Sequence, residues 1–183
     1  LDWWEACKKA VKTAVEYSDT GSEIEAIGIT GQMLASVCLD KDLRPMGNCM
    51  MWLDQRAYKE KQKIESEIGT EKYLEITANH PLAGFWAPKL MWLKENRPTE
   101  DGNIYKVLFS KDYLRFKLTG EIATDVTDAS GSFLFDIKNK RWSREMFDLC
   151  GIDISIVPEK IYESSDIAGY LKSDAAAVLG LRK

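Results

Sequence analysis

The 183-residue chain carries 25 basic and 29 acidic residues, a net charge of −4, and 45% hydrophobic residues including six tryptophans. Such a chain can bury one substantial core, and its length fits one domain or a large piece of one. The intermixed charge leaves no basic stripe for a nucleic-acid backbone, no targeting segment is visible, and apolar runs such as Ala175 to Leu181 fall far short of the ~20 residues needed to span a bilayer.

In chain order, Leu1-Asp2-Trp3-Trp4 opens without Met and runs at once into a helical pattern, which reads as a cut piece of a longer protein. Asp2 and Glu5 resemble a capping box, and Trp4, Cys7, Val11 and Ala14 recur at the spacing of an amphipathic helix through about Tyr17. A turn at Asp19-Thr20-Gly21-Ser22 follows. Ile24 to Thr30, Leu34 to Leu39 and Asn48 to Trp52 are short apolar runs separated by turn chemistry, and they are predicted to be strands of one sheet. Ala57, Lys61, Ile64 and Ile68 mark a helix ended by Gly69, and Thr70 is placed to cap a shorter one through Ile76. Pro88 suits the first turn of a helix through Lys94, with a loop from Asn96 to Gly102. Val107 to Phe109 reads as a strand. Ser110 is placed to cap a helix with Tyr113, Leu114 and the Lys117 stem facing inward and Gly120 as its stop. Ser143 caps another helix closed by Gly151, and Ser173 precedes an alanine-rich helix. The alternation of elements predicts a layered α/β domain.

The residues alone assemble no complete active site: the chain contains no GxxxxGK[ST] loop, no GxGxxG after a strand, no HExxH and no nucleophile elbow. Four cysteines, Cys7, Cys38, Cys49 and Cys150, form no CxxC pair, which suits reduced thiols of a cytoplasmic protein better than a zinc site or disulfide framework. The lone histidine, His80, precedes a proline and reads as a solvated loop residue. Gly31-Gln32-Met33-Leu34 follows an apolar run, where α/β sheets present ligand groups, and Gln32 offers a donor and an acceptor to a polyol; a plain strand-to-strand turn is the equal alternative. Asp54 and Arg56 stand two apart at a strand-to-helix junction, where Asp54 is expected to cap the helix. Asp125 and Asp128 have the spacing of a cation site or an acid/base pair, although such residues more often cap helices or stay solvated.

Six ordered segments carry a resemblance. Ile27-Gly28-Ile29-Thr30-Gly31-Gln32-Met33 is similar to the strand and GQMH turn of xylulokinases in the FGGY family of carbohydrate kinases, and Met51 to Arg56 resembles their W-x-D-x-R segment. Phe85-Trp86-Ala87-Pro88-Lys89-Leu90 resembles the family's GFTAPKL-type segment, and Ser110 to Arg115 its KDYLR helix. Leu118 to Glu121 and Thr124 to Gly131 resemble its LTGE and SDASG segments, and Trp142-Ser143 its next helix.

The resemblance implies an actin-like ATPase, ribonuclease H-like domain with a mixed sheet and flanking helices, making up most of the N-terminal, sugar-binding half of an ATP- and Mg²⁺-dependent kinase. A DxGT strand is expected upstream of Leu1, and a GGDN segment with the catalytic aspartate beyond Lys183. By the same resemblance Gln32, Met33, Leu34, Gly84 and Phe85 line the sugar site, Asp54 and Arg56 brace it, and no catalytic residue or metal ligand falls within the chain. The implied partner is a small-molecule sugar, a ketopentose such as xylulose before glycerol or another polyol, with neither nucleic acid nor membrane; a homodimer of the parent fits too, and a non-catalytic sugar-binding module is the other reading. One departure stands out: Leu34 occupies the place of the motif's sugar-contacting histidine and cannot hydrogen-bond a hydroxyl.

Overall fold

The computed structural model describes residues 2–18 and 24–182. Helix α1 (Asp2–Ser18) follows the predicted periodicity. Glu5 pairs with Lys8 at 2.6 Å along its surface rather than closing a capping box around Asp2, which lies inside the helix. The predicted turn at 19–22 falls outside the described residues.

The expected three-stranded sheet does not form among the described residues. Residues 24–30 run without a strand partner, and all but Ile29 are exposed. An apolar, β-branched run becomes a strand only when a neighbour accepts its main-chain hydrogen bonds, and no described segment lies beside this one in register. The second run supplies β1 (Val37–Leu39), and the third joins it only through the antiparallel bridge of Ser36 with Met50. The partner of β1 is instead β2 (Lys106–Leu108), antiparallel, with Cys38 opposite Val107. Sheet structure is thus a set of two-stranded pairs: besides β1 and β2, a parallel pair β3 (Ala123–Asp125) with β6 (Lys160–Tyr162), and an antiparallel hairpin β4 (Phe135–Asp136) with β5 (Arg141–Trp142).

Helices pack around these pairs. α2 (Tyr58–Ile68) stops at Gly69, whose φ of 84° no β-carbon tolerates easily. That glycine, not Thr70, holds the N-cap position of α3 (Thr70–Thr77). α4 (Trp86–Asn96) follows, with Pro88 in its first turn as predicted. The expected loop at 96–102 contains a short helix, α5 (Pro98–Asp101), because proline at the first helical position needs no amide partner. α6 (Ser110–Thr119) ends at Gly120, with Tyr113 buried and Leu114 half-buried. Phe109 rather than Ser110 occupies its N-cap. α7 (Val126–Ser130) is a single turn after β3. α8 (Arg144–Cys150) matches its prediction in both caps, the Ser143 hydroxyl accepting from the Met146 amide at 3.2 Å and Gly151 lying left-handed. α9 (Ser173–Leu179) packs on α1 and α6.

The largest core surrounds α4. Trp86, fully buried, stacks on Phe109 at 3.8 Å between ring centres and lies parallel to Trp142 at 6.3 Å. Phe85 stacks on Phe133, and Leu34, Met50, Ile64 and Leu90 complete the cluster. α4 therefore presents its first turn to the segments around Leu34 and Met50. None of the described helices is long and apolar enough to cross a membrane.

Candidate functional site

The turn that carries Gln32, Met33 and Leu34 is held by its backbone. Leu34 sits at φ 64°, a left-handed conformation that costs a branched side chain about 1–2 kcal/mol. Surrounding bonds must outweigh that cost. The Ser110 hydroxyl donates to the Gln32 carbonyl at 2.8 Å, which explains why Ser110 does not cap its own helix. From α4, Lys89 Nζ donates to the Leu34 carbonyl at 2.8 Å and to the Met50 carbonyl at 3.0 Å, and Trp86 Nε1 donates to the Ala35 carbonyl at 3.1 Å. Trp86 and Lys89 stand three apart, hence on one face of the helix. Close approach accounts for two glycines: a β-carbon on Gly31 would lie 2.8 Å from Ser110 Oγ, and one on Gly84 only 2.3 Å from the Trp52 carbonyl oxygen.

The expected site residues separate into layers. Gln32 and Met33 are exposed, Met33 by 63%. Leu34 and Phe85, each 7% exposed, meet in the core cluster below them, with Leu34 Cδ2 packed toward Gly131. Gly84 is buried against Trp52. Asp54 and Arg56 form a separate unit: Asp54 Oδ1 accepts from the Arg56 amide at 3.1 Å and from Arg56 Nε at 2.9 Å. The guanidinium lies 4.9 Å over the Trp92 ring. Asp54 is not the helix cap, a place taken by Ala57; its short side chain closes on the amide two residues on, an Asx turn. Burial acts to raise the Asp54 carboxyl, and the bonds from Arg56 outweigh it and hold it below the ordinary value. Arg56, Trp92 and Ser36 line a cavity of about 620 Å³, whereas Gln32 borders a different one of about 570 Å³ with Gly31, Ser110 and Leu114.

Two charged clusters were not legible as such. Lys89 is completely buried, and its bonds go to neutral carbonyls. Desolvation pulls its ammonium down to about 8, with Cys49 and Asp54 partly opposing. One signal was available: Lys89 is the only charged residue between Gly84 and Lys94 in an otherwise apolar helix. At the other cluster Lys111 Nζ lies 2.8 Å from Asp112, 2.8 Å from Asp125 and 3.0 Å from Asp128. Burial works against this ammonium, and the three carboxylates overcome it and raise its pKa. Asp125 is also the N-cap of α7, accepting from the Thr127 and Asp128 amides.

Asp125 and Asp128 are therefore neither solvated nor open. A lysine of the chain itself supplies the cation between them, and among the described residues no group of three or more His, Cys, Asp or Glu is arranged to hold a metal ion. These residues do not fit Mg²⁺. His80 is exposed, with Nδ1 3.4 Å from the Tyr73 hydroxyl, and it stands apart from both clusters.

Comparison with known proteins supplies what the geometry leaves open. Residues 1–183 match the profile of the FGGY family of carbohydrate kinases, N-terminal domain. The chain is 40% identical over 177 residues to a xylulose kinase of Lactococcus lactis, covering 96% of this chain and 35% of that protein. It is 36% identical over 176 residues to a glycerol kinase of Thermococcus onnurineus, covering 93% and 35%. Among solved structures, xylulose kinase from Rhodospirillum rubrum superposes with a TM-score of 0.91 at 25% identity, over 100% of this chain and 37% of that one. The kinase from Brucella ovis superposes at 0.86 with 34% identity, over 96% and 35%. The chain thus spans about a third of the length of these relatives. With the α/β fold and the ordered segments in agreement, the chain belongs to the FGGY family of carbohydrate kinases, matching its N-terminal domain.

Proposed function

We propose that the parent protein transfers the γ-phosphoryl group of ATP to a hydroxyl of a small sugar, a ketopentose such as xylulose, and that this chain forms the wall against which the sugar is positioned. In that reaction the hydroxyl oxygen bonds to the γ-phosphorus, the bond to the β–γ bridging oxygen breaks, and the hydroxyl proton passes to a base. Catalysis of this kind is mostly positioning and charge stabilisation. The single observation that carries the reading is the anchored turn at 32–35. Its carbonyls are tied to α4 and α6, while the Gln32 and Met33 side chains stay exposed. Gln32 then offers its amide to sugar hydroxyls, Met33 an apolar contact, Leu34, Gly84 and Phe85 the layer beneath, and Asp54 with Arg56 the brace. Asp125 and Asp128 are engaged by Lys111 and are not assigned the base's role.

Mg²⁺ would offset the charge of the phosphates in such a transfer; its ligands are not assigned to this chain. Free thiols at Cys7, Cys38, Cys49 and Cys150 support a reducing, cytoplasmic setting. A homodimer of the parent belongs to the proposal on the family resemblance alone. A polyol substrate is the second reading, favoured by the similarity to a glycerol kinase.

The deciding experiment is an assay of the full-length parent with ATP against a panel of ketoses and polyols. Xylulose is expected to give the highest kcat/KM, and the 183-residue chain assayed beside it is expected to give no turnover. A preference for glycerol would select the second reading. Sugar binding without turnover by the parent would replace the kinase with a sugar-binding module.

A further inference from the structure

Lys89 stands in a place where a methionine would fill the same volume without carrying charge into the core. Trp86, Leu90 and Phe109 are fully or almost fully buried in that core, and Lys89 itself has no exposure. What an ammonium adds over an apolar side chain is donors fixed in direction. Both of its bonds go to carbonyls of separate segments, Leu34 at 2.8 Å and Met50 at 3.0 Å.

The Leu34 carbonyl belongs to the one residue of the turn in a left-handed conformation, so the bond from Lys89 fixes the Leu34–Ala35 peptide plane, one residue beyond Met33. Trp86, one turn earlier on α4, fixes the next carbonyl, and Ser110 fixes that of Gln32. The amide of the Gln32 side chain makes no hydrogen bond within the described residues. A backbone held from beneath, with its polar side chain left exposed, is the arrangement that presents a preorganised group to a ligand.

We infer that Lys89 is a positioning residue for the acceptor sugar, its buried ammonium locking the Gln32–Leu34 turn onto Met50 so that Gln32 and Met33 keep a fixed place. The inference rests on the kinase reading above. It assigns Lys89 no contact with the sugar and no part in phosphoryl transfer.

Lys89→Met in the full-length parent tests it. KM for the sugar is expected to rise about tenfold, the size of effect that follows loss of a charge-assisted bond of about 1.4 kcal/mol. KM for ATP and kcat are expected to stay within about twofold. Leu39→Ala, a buried change on β1 in a separate hydrophobic cluster that contains no residue of the turn, controls for destabilisation: it is expected to lower the melting temperature and leave both KM values in place.

If Lys89→Met does not fold, sugar affinity of the wild-type parent measured by calorimetry between pH 7 and pH 9 decides the matter. The groups acting on Lys89 are the Cys38 and Cys49 thiols, the Asp54 carboxylate and the Arg56 guanidinium. Burial pushes the two thiols up to about 12 and about 11, Asp54 is held below its ordinary value, and a guanidinium does not titrate in this range. Only Lys89 among them changes charge there, so affinity is expected to weaken by roughly threefold as pH passes 8. An unchanged sugar KM in a folded Lys89→Met enzyme, a KM for ATP that shifts equally, or a flat wild-type profile overturns the inference alone. A parent that binds no sugar at all removes the kinase reading, and the inference with it.

Discussion

Two lysines of this domain are drawn away from solvent, Lys89 fully and Lys111 in part, and their surroundings drive them in opposite directions. Lys89 enters the core among carbonyls, which solvate a cation but do not neutralise it, and its pKa falls to about 8. Lys111, half-buried, meets Asp112, Asp125 and Asp128 within 3.0 Å, and its pKa rises. Burial is unfavourable to both charges; the number of opposite charges in reach decides which effect wins. The difference separates two jobs. Lys111 ties α6 to the start of α7 as the hub of an ionic cluster, whereas Lys89 spends its ammonium on backbone geometry at the proposed sugar wall.

The comparison breaks most visibly at Lys111. Lys111→Met would leave three carboxylates facing one another, with Asp112 only 1% exposed and Arg115 at 3.3 Å its remaining cation. Removing one partner from a buried ionic cluster typically costs about 3–5 kcal/mol, so urea unfolding is expected to show a loss of that size. A loss under about 1 kcal/mol would mean that the carboxylates are satisfied by protonation or by Arg115 alone.

On the Lys89 side, the sharper question is whether Leu34 contributes a side chain or a carbonyl. Leu34→His buries an imidazole beside Gly131 and is expected to lower stability by about 1–3 kcal/mol, with sugar preference unchanged. If the variant instead kept its melting temperature and gained severalfold in kcat/KM for xylulose, the position would face the sugar directly.

The smallest effect is a pH dependence that the two lysines do not share. Lys89 has a lower pKa folded than unfolded, so between about 8 and its ordinary value of 10.5 the unfolded state holds more protons and stability rises with pH. Cys38, Cys49 and Cys150 act the other way as pH nears their ordinary value of 9.0, because burial keeps them protonated in the folded state. Lys111, raised, contributes stability below its ordinary range and loses it only above. From pH 8 to pH 9 the gain from Lys89 and the loss from the three thiols nearly cancel, so the unfolding free energy is expected to stay level within about 0.5 kcal/mol and to fall above pH 9. Lys89→Met should turn the level stretch into a fall that begins near pH 8. A level stretch that survives the substitution would assign the offset to another group.

Much of the local structure was legible from residue spacing. Ser143 and Gly151 bound α8 as their chemistry dictates, and the 3.6-residue periodicities of α1 and α2 survive almost to the residue. Both signals are local, since a cap or an amphipathic stripe is written within a few positions. The failures share a cause. Ile24 to Thr30 has the composition of a strand but no described neighbour to complete its ladder, and pairing is not a property of one segment. Asp54 and Ser110 had the right chemistry to cap their helices, and each found another partner, Arg56 two residues on and Gln32 across the fold.

The sequence by itself determined the family, through ordered segments such as Gly31-Gln32-Met33 and Phe85 to Leu90, and with it the α/β fold. Tertiary structure alone decided what those segments do for one another. Lys89 reaches Leu34 and Met50 across 55 and 39 positions of chain, and Lys111 gathers aspartates from α6, β3 and α7. A side chain's charge state and role depend on which dipoles and charges surround it, and that neighbourhood exists only once the chain has folded.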